Sequence, residues 1–387
     1  MACACGRRWP GDYGLAHLCL QRLGYRDANF DRLFRHSLRS QAQAGRERVP
    51  HRMLEIEWLR RMQRKTAAPT PPHRCAMRQS VLTHPMDLFG GTRDDIYAFT
   101  HAVIYAADFN IRPASFPRPR QVLLGEAEAA LARAVDAEDY DICGELLMTW
   151  PLTGTTWSAA SAFGFKVLAD VEDQVGFLPT AATRLDRLNA LDGAARAEYL
   201  TATAYHTAYV MGLLCAAALA PGREPPRHLP FQDAVPRPAA AILPFFDDGG
   251  RRRHWQDTFD RFPPMDRDAL SGFLLTIALH RRVATYDFAA VAKLLAIAVS
   301  LDLADMPAAS QAAELLGRLS VAASPRRRRA APAHPDTGGP GPRPPAPGRI
   351  NGQEEPEPAN PQALRGRQRS RPRSRRALSG SALSPVT

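Results

Sequence analysis

Lysine is nearly absent from this 387-residue chain: Lys65, Lys166 and Lys293 stand alone beside an abundance of arginine. Together with the many alanines and prolines, this points to a GC-rich coding sequence before it points to a binding role. Cys3, Cys5, Cys19, Cys75, Cys143 and Cys215 form no CxxC and no regular spacing, which excludes a disulfide framework and a zinc module. A reducing compartment suits them. Sustained period-two alternation is missing, so strands are not expected. The longest apolar run, 208–220, is too short to span a bilayer, and the N-terminus lacks the order of a signal peptide. These absences predict a cytoplasmic protein with no membrane partner. HExxH and phosphate-loop signatures are also missing, since Gly90 and Gly91 stand alone, so no metal and no cofactor is indicated.

Charge is uneven. Residues 325–387 hold 13 arginines, no lysine and four acids, and so carry +9 of the chain's +11. This Arg-, Pro- and Ser-rich tail, 324–387, has no apolar stripe and reads as disordered. It would attract polyanions non-specifically, but it lacks aromatics for base stacking, and a solvated appendage without a dedicated role is the favoured reading.

The remainder has helical periodicity. Residues 1–14 read as a flexible N-terminus and 15–323 as an all-helical domain. Leu18, Cys19 and Leu23, then Phe30, Phe34 and Leu38, then Leu54, Trp58 and Met62 mark three helices. Later ones follow over 121–135, 140–148, 194–219, 268–281, 286–303 and 308–321, and another carries Phe163, Val167, Leu168 and Val171. Two stretches break the pattern: 66–91 reads as an irregular linker, and 220–266, with nine prolines and six large aromatics, as a loop lying on a surface. Residues 150–157 also read as a loop. Short helices joined by tight turns predict an all-α fold of stacked hairpins, either an α-solenoid or an α/α toroid. A weak echo supports repetition: His101 and His280 are each followed seven residues later by Asp-Phe, and a Tyr-Asp pair opens a helix at Tyr140 and at Tyr286.

Residues 93–109 organise the candidate chemistry. As a helix they place Tyr97, His101, Tyr105 and Asp108 on one face, the working surface this reading favours. His101 and Asp108 would stand about 10 Å apart along a continuous helix, too far for a direct pair. A hydrogen-bonded core histidine and a helix-end aspartate are the structural alternatives. His206 lies in an apolar helix and requires a partner from a neighbouring helix or a ligand, which makes it the leading acid–base candidate. Tyr140, Asp141 and Glu145 cluster near a helix start that Asp139 is placed to cap, and capping explains all but Glu145. Trp150 and Trp157 offer either a stacking surface or core anchors. His280 and Asp287 are candidates through the echo alone.

The motifs Thr100-His101-Ala102 with Tyr105 and Asp108-Phe109, Glu138-Asp139-Tyr140-Asp141, Gly176-Phe177-Leu178-Pro179, and Ala204-Tyr205-His206-Thr207 followed by residues 210–214 carry a resemblance over 15–321. The chain resembles an actinobacterial family of uncharacterised cytosolic proteins, a domain of unknown function. The resemblance implies an all-helical protein, expected near specialised-metabolite gene clusters, and implies no catalytic residue.

Two functions follow. One is a binding module for a small metabolite or peptide, with Tyr97, His101, Trp150 and His206 on a concave face. The other is a metal-independent enzyme of cyclase, isomerase or lyase type using His101 or His206. Convergence of His101, Asp108 and His206 on one ligand would favour the enzyme.

Overall fold

The computed structural model describes residues 14–39, 47–64, 71–110, 115–230, 237–246 and 252–323. The expectations for the tail, for residues 1–13 and for Phe231 lie outside the described residues. Among the described residues every regular element is helical. No helix there is long and apolar enough to cross a membrane.

The chain runs through α1 (Gly14–Arg22), α2 (Ala28–Arg39), α3 (Pro50–Arg64), α4 (Pro71–Gln79) and α5 (Arg93–Ala106). It continues with α6 (Arg120–Asp136), α7 (Tyr140–Leu147), α8 (Thr149–Thr153), α9 (Ala159–Val175), α10 (Leu185–Asn189) and α11 (Gly193–Ala218). After these come α12 (His254–Asp260), α13 (Pro264–Asp268), α14 (Ser271–Ala284), α15 (Phe288–Ser300) and α16 (Pro307–Ala323).

Local chemistry sets the boundaries. Thr92 and Asp95 form a reciprocal capping box that starts α5. The Asp139 carboxylate accepts from the Ile142 amide at the start of α7, as its position predicts. Asp287 does the same for α15 through the Ala290 amide, and Gly176 in the left-handed region ends α9.

The tight turns recur in one form. Glu138, Tyr286 and Asp302 adopt φ of 57°, 58° and 54°, and each is followed by an amide that reaches five residues back: Asp139 to Ala134, Asp287 to Arg282, Leu303 to Ala298. These are Schellman closures built without glycine. The Tyr-Asp echo is therefore displaced by two residues, because Asp139, not Asp141, occupies the place of Asp287.

Packing follows the apolar stripes. α6 lies against α7, α9 and α14; α7 also meets α5 and α11; α14 continues into α15 and α16. Phe99, Leu131, Leu146, Trp150, Phe163, Trp255 and Ile277 are among the side chains sealed in the shared core. The Asp136 carboxylate receives Arg281 and the Trp255 indole, which ties α6 to α14 and α12.

Three expectations need correction. The 66–91 stretch contains α4 and a 310 turn over Val81–Thr83; α4 shows no long apolar stripe, its described buried side chains being His73, Ala76 and Met77. Residues 149–153 form α8, since Pro151 falls in the first turn, where its missing N–H is not needed. Within 220–266, α12 inserts Trp255 and Phe259 into the core, and Leu229 and Ile242 are buried too.

Candidate functional site

α5 ends at Ala106, not at 109: Asp108 and Phe109 have φ of 51° and 49° and form a 310 turn. That break splits the expected face. Tyr97, His101 and Tyr105 remain one ladder, with ring centroids 3.8 and 6.1 Å apart, and His51 from α3 stands edge-on to both Tyr97 and His101. Asp108 turns away and accepts from the Trp58 indole at 2.5 Å in the interior.

Beside the ladder, α5, α7 and α11 bring charged groups together. Arg93, in the first turn of α5, donates to Asp139 at 2.7 Å and to Asp141 at 2.9 Å. An arginine at a helix N-terminus opposes the macrodipole, and these two carboxylates account for it. On the far side of Asp141, His206 of α11 places Nδ1 2.6 Å from Oδ1. A carboxylate only accepts, so Nδ1 carries the proton in this pair. The neighbouring helix thus supplies the partner that His206 required. The Asp141 bond, outweighing burial, holds the imidazole pKa above its ordinary value. Burial pushes Asp141 up, but the bonds from His206 and Arg93 prevail and hold it below the usual carboxylate range.

Glu145 lies one helical turn beyond Asp141 and is 2% exposed. Thr100 donates to its Oε2 at 2.5 Å, and His101 Nδ1 stands 3.4 Å from the same oxygen while bonding the Tyr97 carbonyl at 3.1 Å. One ligating atom each from Asp141, Glu145 and His206 fall within 4.8 Å of one another. Gly144 permits this approach: a Cβ there would meet Val210 Cγ1 at 2.7 Å, so α7 and α11 touch between the two functional turns.

At the other end of α5 is a cavity of about 550 Å³. Arg22, Arg26, Arg35 and Arg61 border it with Asp31 and Asp108, and Leu18, Phe34 and Met62 supply its apolar wall. Both carboxylates are engaged, Asp31 with His17 at 2.6 Å and Asp108 with Trp58 and, at 3.9 Å, Arg61. The cavity therefore has an excess of guanidinium.

The other expected residues serve the interior. Trp150 and Trp157 stack at 6.4 Å in the core, and the Trp157 indole donates to the Arg223 carbonyl. Tyr105 is buried beside Trp58, and Tyr140 is buried with its hydroxyl 2.9 Å from His254 Nδ1. Trp150 is 1% exposed and lines no concave face. His280 packs on Phe89, its Nε2 has no hydrogen-bond partner, and burial lowers its pKa to about 4. Asp287 is a helix cap. The three residues whose convergence would mark an enzyme do not share one centre: His101 and His206 meet the α7 carboxylates, whereas Asp108 belongs to the arginine cavity.

Residues 10–216 match the model of a family described as Domain of unknown function (DUF6895). The chain belongs to this family. The DUF6895 match contains both the three-helix cluster and the cavity, and it stops well short of the 15–321 span of the resemblance. No curated protein and no solved structure matches the chain.

Arg93, His51 and the cavity arginines escaped the sequence reading as site residues, and Thr100 entered it only as part of a motif. The macrodipole conflict at Arg93 was the one available signal; the arginines are concealed by arginine's abundance throughout the chain.

Proposed function

We propose that the protein is a cytoplasmic binding module for a small anionic metabolite, held in the cavity between α1, α2 and α3 and working in a specialised-metabolism or regulatory setting. The observation that carries this reading is the cavity: about 550 Å³ falls within the range of small-molecule sites and suits a compact ligand better than an extended peptide. Its guanidinium excess suits a carboxylate or phosphate, which arginine engages bidentately. Leu18, Phe34 and Met62 would receive the ligand's carbon skeleton.

The binding reading is preferred over acid–base catalysis because a general acid must reach the bound substrate. The histidines are committed to α7, and of the three convergence residues only Asp108 borders the cavity.

The test is a thermal-shift panel of phosphorylated and polycarboxylate metabolites, each beside a neutral analogue, on the full-length chain. An anion at about a hundred times its Kd should raise Tm by ~5 °C. An Arg22→Ala/Arg35→Ala variant should lose that shift, and His206→Gln should keep it. Stabilisation by neutral analogues alone, or loss only in His206→Gln, would overturn the reading.

A further inference from the structure

We infer that Asp141, Glu145 and His206 form a binding site for a divalent first-row transition ion, separate from the arginine cavity and independent of the ligand assigned to it. Spacing along the sequence concealed it, because Asp141 and Glu145 come from one helix and His206 from another 61 residues beyond Glu145.

Three observations meet here. The first is geometry. One atom from each residue lies within 4.8 Å of the others, and bonds of about 2.0–2.2 Å to oxygen and nitrogen require ligand separations of roughly 3–4 Å. Side-chain rotations therefore suffice to close the set.

The second is an unbalanced charge. Asp139 and Asp141 share one guanidinium, Arg93, while Glu145 adds a third carboxylate, so carboxylates outnumber the guanidinium beside His206. Two carboxylates four residues apart on one helix repel each other, and a carboxylate as buried as Glu145 normally finds a cation or a metal. Its partners are the Thr100 hydroxyl and the His101 ring, and neither is a fixed positive charge.

The third is the arrangement of the surroundings. Arg93 occupies Asp141 Oδ2 and leaves Oδ1 towards His206; Thr100 and His101 both approach Glu145 Oε2 and leave Oε1 for a ligand. Outer groups that hold a carboxylate by one oxygen while the other binds are typical of metal centres. In this assignment the ion takes the place of the proton between His206 Nδ1 and Asp141, and the ring carries its single proton on Nε2, so that His206 binds as a neutral imidazole. Two oxygens and one nitrogen suit Mn2+, Fe2+ or Zn2+. His101 is a positioning residue.

Chelator-stripped full-length protein is titrated with Mn2+, the free aquo ion being followed by electron paramagnetic resonance. Mn2+ discriminates against the cysteine thiols. One saturable site is expected, weakened at least ~10-fold by Asp141→Asn, by Glu145→Gln and by His206→Ala, and unaffected by Arg22→Ala/Arg35→Ala. His101→Gln should weaken it less while shifting the resonance of the bound ion, a change that a purely structural role would not produce. No saturable binding by the wild type, or equal affinity in a folded Asp141→Asn/Glu145→Gln variant, would overturn the site. A gain of signal guards against unfolded variants: His206→Cys loaded with Co2+ should show a thiolate-to-cobalt charge-transfer band that the wild type lacks. A folded His206→Cys protein without that band, when the wild type binds Co2+, counts against direct coordination.

Discussion

At one end of α5, four arginines face two aspartates that are already engaged; at the other, Asp139 and Asp141 share one arginine, and Asp141 and Glu145 lie beside an imidazole. The same helix thus separates two sites of opposite electrical sign. Their construction differs as well. The cavity is an open volume with exposed Arg22, Arg26 and Arg35 at its border, whereas the carboxylate cluster sits where α7 and α11 approach closely at Gly144 and Val210. An open basic site suits a ligand of several atoms; a tight acidic one suits a single small cation. The difference teaches that the two ends should respond to different perturbations.

The strongest way to break that independence is Asp108→Ala. It leaves the buried Trp58 indole without its acceptor and removes the carboxylate beside Arg61, so a loss of about 2–4 kcal/mol is expected in urea unfolding. The His206 titration, followed by NMR, should stay in place. If it moves, the two ends are coupled through α5.

A smaller effect on the opposite end is expected from Gly144→Ala. Its Cβ would meet a stiff β-branched neighbour, and overpacking should cost ~1–2 kcal/mol despite the gain in helix propensity. Val210→Ala removes the obstructing methyl, so the double variant should recover stability by that clash term in a thermodynamic cycle. The cavity's response to anions should be unaffected by either change.

The smallest effect is a pH dependence. His206 has a raised pKa in the folded state, so its pair with Asp141 stabilises below the unfolded imidazole value and fades as pH rises through the folded one. Asp141 has a lowered pKa, so its contribution is present above the unfolded carboxylate value and fades as pH falls through the folded one. The pair therefore contributes most between those limits. His206→Gln should lower Tm within that window and leave it unchanged on the alkaline side; an equal loss at every pH would show that the imidazole acts through packing alone.

Much of this architecture could be read in the sequence because long apolar stripes declare themselves: α9, α11, α14 and α15 lie close to where their periodicity put them. α4, α8 and α12 did not, being short, opened or flanked by proline, and dependent on tertiary burial. For the cluster, the need of His206 for a partner followed from desolvation alone. The partner's identity did not, since Asp141 is 65 residues away and a cap at Asp139 already explained the local acids. Asp108 was placed on the wrong surface because the left-handed turn after Ala106 has no glycine to announce it.

Gly144 has a consequence beyond packing. The gap between the two ligand-bearing helices is set by an atom that is not there, so the width of the acidic site can change without touching any residue inside it. Relatives that carry a bulkier residue at this position would hold their helices further apart and select a larger ion, or none. A single codon in this way acts as an adjusting screw on the width of the site.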